Sequence, residues 1–218
     1  MNTLQTQDSS SGLTIASVKR IHGRAELLLS NGESLSMPRA MLKERPYRSG
    51  MPFDFDAFKT FLRDRSYPFA MDKAVRLLAS RARTEREIVD TLRKNAYPEE
   101  TIARVMARLH EVHYLDDADF ADHWSAARAA KGLGTRRIRM ELRQKGIDSD
   151  TIDEVISSLD EDTLMASAQS AAQKAARGKD LSSVSDRQKI LAALARRGFD
   201  YTLSRRALEQ IISNSAEE

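Results

Sequence analysis

Ile138-Arg139-Met140-Glu141-Leu142-Arg143-Gln144-Lys145-Gly146-Ile147 is the stretch that decides the fold, because its pattern occurs three times along the chain. Ile88-Val89-Asp90-Thr91-Leu92-Arg93-Lys94-Asn95-Ala96-Tyr97 precedes it, and Ile190-Leu191-Ala192-Ala193-Leu194-Ala195-Arg196-Arg197-Gly198-Phe199 follows. Each copy carries Ile, then Leu one helical turn later, then basic residues, then a small residue followed by a large apolar one. The three isoleucines stand 50 and 52 residues apart. Self-similarity at such a period marks stacked supersecondary units that cannot bury their apolar faces alone.

Each unit reads as three helices. Thr84-Glu85-Arg86-Glu87 is a capping-box pattern that starts the helix carrying Ile88 and Leu92. Pro98, Glu99 and Glu100 open the next helix, with Ile102, Val105, Met106 and Leu109 on its apolar face. In the second unit Gly146 stops one helix and Asp148 caps another, whose face is Ile152, Val155, Ile156 and Leu159. Gly198 and Asp200 repeat this before Leu203, Ala207, Leu208 and Ile211. A preceding helix in each unit places Val75 and Leu78, then Phe120 and Trp124, then Leu164 and Ala168, inward.

The N-terminal part has a different period. Residues 1–12 are polar and predict disorder. Ile15–Arg20, Ala25–Ser30 and Glu33–Met37 read as strands, with Ala25, Leu27 and Leu29 facing one way. Asn31-Gly32 is a hairpin signal, since both positions can take positive φ. A short helix over 38–44 follows, then one capped by Asp54 with Phe55, Phe58 and Phe61 or Leu62 inward. The expected organisation is therefore a disordered 1–12, a small α+β module over 13–68 bounded at Ser66-Tyr67-Pro68, three-helix repeats over 69–115, 116–160 and 161–212, and a frayed acidic tail over 213–218. The fold class is mainly α, with β-structure confined to the N-terminal module.

Composition sets the function classes. With no cysteine, disulfides, thiol chemistry and thiolate zinc sites are excluded. No apolar run approaches the ~20 residues that cross a bilayer, and the polar start predicts no secretory leader, so the cytoplasm is the expected compartment. The net charge is only +3, but seven basic residues (Arg128, Lys131, Arg136, Arg137, Arg139, Arg143, Lys145) and one acid lie between 128 and 145. With Ile138 and Leu142 turned inward, Arg136, Arg139 and Arg143 share an outer stripe on a helical wheel. Arg86 and Arg93 take equivalent places in the first unit; Gln188, Leu191 and Ala195 do so in the third. Such a stripe is either a solvated face or a contact for nucleic acid or an acidic protein groove.

Catalytic signals are weak. Tyr114-Leu115-Asp116-Asp117 resembles a metal-binding aspartate pair, but it falls between helices, where either aspartate serves better as an N-cap. His110, His113, Asp119 and His123 lack the spacing of a metal set. Tyr114, Phe120 and Trp124 read as core anchors between units rather than a base-stacking platform. Gly132-Leu133-Gly134 follows a helix, not a strand, and reads as a helix break rather than a phosphate loop. No catalytic residue, metal, cofactor or small-molecule substrate is expected.

Tyr114-Leu115-Asp116-Asp117-x-x-Phe120-Ala121-x-x-Trp124, Arg128 and Lys131-Gly132-x-Gly134-x-Arg136-Arg137-Ile138-Arg139-x-Glu141-Leu142-x-x-Lys145-Gly146-Ile147 together resemble the bacterial RecX regulators of the recombinase RecA. So does Leu77-Leu78-x-x-Arg81-x-Arg83-Thr84-x-x-Glu87-Ile88. The resemblance covers 69–212, and residues 13–68 are similar to the extra segment of longer members. It implies three tandem three-helix units in an elongated, curved, monomeric modulator lying in the groove of the RecA–DNA filament. It further implies restraint of filament growth, ATP hydrolysis and strand exchange, with effects on recombinational repair and the SOS response. The expected contacts are Arg136, Arg139, Arg143, Arg128, Lys131, Arg137, Lys145, Arg86 and Arg93, while Tyr114, Leu115, Asp116, Asp117, Phe120, Trp124 and Gly146 are structural. The competing reading is a helical-repeat protein that binds single- or double-stranded DNA directly, without a recombinase.

Overall fold

The structure is a computed structural model that describes residues 12–216, with side chains to Asn214. The disorder expected over 1–12 therefore lies, Gly12 apart, outside the described residues, as do Glu217 and Glu218. The chain divides into two compact units, Met1–Leu115 and Asp116–Glu218.

The first unit opens with an antiparallel sheet in the order β1-β2-β3, formed by Ile15–Ile21, Arg24–Leu29 and Ser34–Pro38. Ala25, Leu27 and Leu29 alternate onto the buried face, as their period demands. The β2–β3 hairpin forms at Asn31-Gly32, with one of its two residues at positive φ. Only Gly32 is left-handed (φ 89°), and its amide donates to the Leu29 carbonyl at 2.9 Å. Asn31 instead keeps ordinary φ and accepts the Glu33 amide through its side chain, so the loop is a turn closed by a single glycine. A 3-10 helix, Arg39–Lys43, then seals the sheet with Met41.

The long helix α1, Phe55–Ser80, runs straight through Ser66-Tyr67-Pro68, so the expected module boundary is not a break in secondary structure but a point within one helix. Pro68 removes one intrahelical hydrogen bond, but the helix is anchored on both sides of it. Phe58 is buried with the sheet, Ala70 and Ala74 are buried in the first repeat, and Phe69 packs against both clusters. Next to the proline, buried Ser66 and Thr101 join hydroxyls at 2.6 Å. The inward face of this helix is the alanines with Leu77 and Leu78 half-buried against the same core, whereas Val75 is exposed. Small residues let α1 pack closely on α2 (Glu85–Lys94) and α3 (Glu99–Glu111) around Ile88, Leu92, Ile102 and Val105. Thr84 caps α2 through the Glu87 amide at 3.3 Å.

The second unit holds α4 (Asp117–Ala130), α5 (Thr135–Lys145) and α6 (Ser149–Ser158), then α7 (Glu161–Ala176), α8 (Val184–Arg196) and α9 (Tyr201–Ala216). The last helix continues past the end expected at 212, so the tail is helical as far as Ala216. Asp116, Asp148 and Asp160 cap α4, α6 and α7 through amides three residues on, at 2.9, 2.8 and 2.8 Å. Leu92, Leu142 and Leu194 are each fully buried, the positional equivalents read from the repeat.

Two kinds of contact join the repeats of this unit. Helix α4 packs on α7, and Ser167 donates to the Ala129 carbonyl at 2.6 Å. The second is a backbone splice. Helix α5 has Gly134 at its N-cap, with no side chain to cap it. The carbonyl end of α8 takes that role: the Arg197 carbonyl accepts from the Gly134 amide at 3.0 Å, and the Gly198 carbonyl accepts from Arg136 at 3.1 Å. A negative helix end thus meets a positive one. The approach requires glycine on both sides. A Cβ on Gly134 would lie 2.2 Å from the Phe199 nitrogen, and one on Gly198, which is left-handed at φ 89°, would lie 2.4 Å from the Arg137 nitrogen.

Candidate partner-binding face

The splice determines where the basic residues of α5 point. Ile138 and Leu142 are buried, which turns Arg136, Arg137 and Arg143 to solvent and leaves Arg139 half-buried. The expected stripe is thinner than its sequence. Arg139 is held by Asp153 of α6, so its charge is answered within the protein. Arg137 reaches Glu141 at 3.4 Å. Arg128 and Lys145 are turned onto an aromatic box instead: the Arg128 guanidinium lies 4.1 Å from the Trp124 ring centre and the Lys145 ammonium 4.2 Å. Phe120 stacks on Trp124 at 5.6 Å.

Glu141 ties this box together. It accepts the Trp124 indole N–H at 3.3 Å and sits 2.8 Å from Arg128 Nε, though that N–H is not aimed at it. Cations on a half-buried indole stiffen the α4–α5 joint. Phe120 and Trp124 thus hold α4 to α5, in a core cluster that also takes in Leu164 of α7. Tyr114 is not a core anchor, since it is 60% exposed.

Among the described residues Lys131, Arg136 and Arg143 make no ion pair, and they are what remains of the middle stripe. The splice adds to them. Arg197 reaches back to the Gly132 carbonyl at 3.3 Å, and Arg196 is its exposed neighbour. The third repeat thus contributes cations at its helix end rather than at the wheel positions of Gln188, Leu191 and Ala195. The signal was the pair Arg196-Arg197 directly before the helix-stopping Gly198.

In the first unit Arg93 is engaged by Glu99 through two hydrogen bonds of 2.7 and 2.8 Å, and that carboxylate holds its pKa above the ordinary arginine value. Arg86 lies 3.8 Å from Asp90. Their charges are matched locally, unlike those of Arg136 and Arg143.

The aspartates and histidines of the 110–123 segment are engaged one by one. Asp116 is the N-cap of α4, and Asp117 lies in its first turn. His110 Nε2 meets Glu85 at 2.9 Å, and His123 meets the Asp119 carbonyl at 2.9 Å, which raises its pKa. Among the described residues no group of three His, Asp or Glu side chains converges on a metal position.

Three family models match in tandem: the first three-helix domain of RecX over 70–109, the second over 116–156 and the third over 161–208. A regulatory protein RecX of Mycolicibacterium vanbaalenii is 32% identical across 66% of this chain and 82% of its own. One of Chlorobaculum tepidum is 34% identical across 67% of this chain and 91% of its own. A crystal structure of a regulatory protein RecX is similar in fold, with a TM-score of 0.62 and 21% identity across 90% of this chain and 99% of that one. RecX of Lactobacillus salivarius gives a TM-score of 0.62 at 20% identity across 66% and 95%.

Proposed function

The chain belongs to the RecX family of regulatory proteins, and from that premise we propose that it binds the RecA–DNA filament and restrains ATP hydrolysis, filament growth and strand exchange. It would thereby limit recombinational repair and the SOS response from the cytoplasm, as a binding protein rather than an enzyme. The observation that carries the reading is the middle repeat, where Arg136 and Arg143 stand outward without acidic partners on a helix fixed by the splice. Unpaired cations on a fixed helix are the residues that an acidic groove or a phosphate backbone can engage without first breaking an ion pair. Several modest contacts add up on a polymer of recombinase subunits and not on a free subunit, which favours the filament as target.

The test is inhibition of RecA-driven ATP hydrolysis on single-stranded DNA. Reversing Arg136 and Arg143 to Glu is expected to shift stability by under ~0.5 kcal/mol each, as exposed sites do, while inhibition falls at least tenfold because attraction becomes repulsion. Arg139 is left intact, since its reversal would strand Asp153. A double variant that keeps its circular dichroism and inhibits like the parent would move the grip to another face. Binding to naked DNA as tight as to the filament, weakening steeply with salt and lost in the Arg136 and Arg143 double variant, would favour the direct DNA-binding reading.

A further inference from the structure

The first unit contains a recess that none of this uses. It lies between the sheet module and the first repeat, with a volume of about 590 Å³. Its lining comes from the β1–β2 turn, the 3-10 helix, α1 and the end of α2. Five basic side chains surround it, His22, Arg39, Lys43, Lys73 and Arg76, against one acid, Asp72. Asp72 is already taken by Arg76 at 2.7 Å. Among the described residues His22, Arg39, Lys43 and Lys73 make no ion pair. The walls between these cations are apolar: Phe69, Leu77 and Tyr97.

The floor holds a polar group with unused capacity. Asn95 is 7% exposed, and among the described residues its carboxamide makes no side-chain hydrogen bond. It is pressed against the β1–β2 turn, where a Cβ on Gly23 would lie 1.5 Å from its Oδ1. Its carboxamide atoms are not sealed off from solvent, so a molecule in the recess can reach them as a donor and an acceptor. No residue of β1, β2 or β3 lines the recess. Main-chain pairing with a strand edge, one common seat for a peptide, is therefore not offered there.

We propose that this recess is a nucleic-acid contact, taking one nucleotide of a single strand with its phosphates on the cationic rim, its base against the apolar walls and a base edge on the Asn95 carboxamide. Each part of the site answers one part of that ligand. Point charges on separate elements suit successive phosphates, apolar walls suit a base face, and a carboxamide offers both a donor and an acceptor to a base edge. The contact is separate from the α5 face, and no recombinase is needed for it, so it stands or falls independently of the function proposed above.

The experiment is amide NMR of the full chain titrated with a single-stranded oligodeoxynucleotide, alongside fluorescence anisotropy. The Gly23, Lys43 and Asn95 amides are expected to shift. Lys43→Glu with Lys73→Glu is expected to remove those shifts and to reduce the log–log salt slope of binding by about two, one per lysine, with circular dichroism unchanged. Arg136→Glu with Arg143→Glu is expected to leave the Gly23 and Asn95 shifts in place. Shifts confined to α5, or saturation of the recess by polyglutamate as readily as by the oligonucleotide, would overturn the proposal. Saturation by free ATP at lower concentration than by the strand would overturn the choice of a strand as ligand. A double-lysine variant that stays folded and binds like the parent would overturn the site itself.

Discussion

Ala96, Gly146 and Gly198 occupy the same position in the three repeats, and all are left-handed, at φ 61°, 88° and 89°. An L-residue with a Cβ pays about 1–2 kcal/mol there, so the first repeat carries strain that the other two lack. Ala96→Gly is expected to raise stability by about 0.5–1 kcal/mol, part of the relief being offset by the looser unfolded chain; a urea midpoint that falls would contradict this. Gly198→Ala should cost far more than that strain, because its Cβ would meet the Arg137 backbone as well. Tyr97, beside Ala96, is buried. Burial chiefly, with the nearby Asp72 charge, pushes its pKa from 10.0 up to about 12. The unfolded chain therefore releases this proton first. The stabilisation from Tyr97 is complete below pH 10 and is lost as the pH rises from there to about 12. Tyr97→Phe is expected to flatten that alkaline decline in an unfolding series, and an equally steep decline in the variant would assign the titration elsewhere.

At the scale of elements, what the sequence made legible was local. Period, caps and stop residues located the three strands and the helix ends at Thr84, Pro98, Asp116, Gly146, Asp148, Gly198 and Asp200, because such residues act within one turn of themselves, whereas the caps Asp160 and Ser183 went unread. What it hid was long-range. Pro68 reads as a boundary, yet α1 crosses it because Phe58 and Ala70 are fixed in two different cores, and no local rule weighs that. The α5 stripe reads as free charge, yet Arg139 answers to Asp153 on the next helix and Lys145 to Trp124 on the previous one. Spacing on one helix cannot show either partner. The splice was invisible for the same reason, since Gly134 and Gly198 each look like an ordinary helix terminus. The recess around Asn95 is made from four separated segments, and only the folded chain brings them together.

At the scale of the molecule, the chain's one tryptophan, Trp124, belongs to the second unit. Its fluorescence therefore reports the unfolding of that unit. Leu142→Ala is expected to cost ~2–5 kcal/mol through lost burial and the cavity left behind, lowering the tryptophan-detected urea midpoint. Leu92→Ala, in the core of the first unit, is expected to leave that midpoint in place while lowering the one read from tyrosine, which is concentrated in the first unit. Equal displacement of both signals by either variant would mean that the units unfold as one. The joint at Gly134 also has a consequence for manufacture. Arg197, whose guanidinium reaches the Gly132 carbonyl, is added 65 residues after it, a lag of roughly 3–13 s at ~5–20 residues per second on the ribosome. Throughout that interval α5 exists without the carbonyls that close its amino end. A nascent chain halted before Gly198 would present its most basic helix unlatched, and a stop codon at position 197 or 198 would be felt roughly sixty residues earlier, at Gly134.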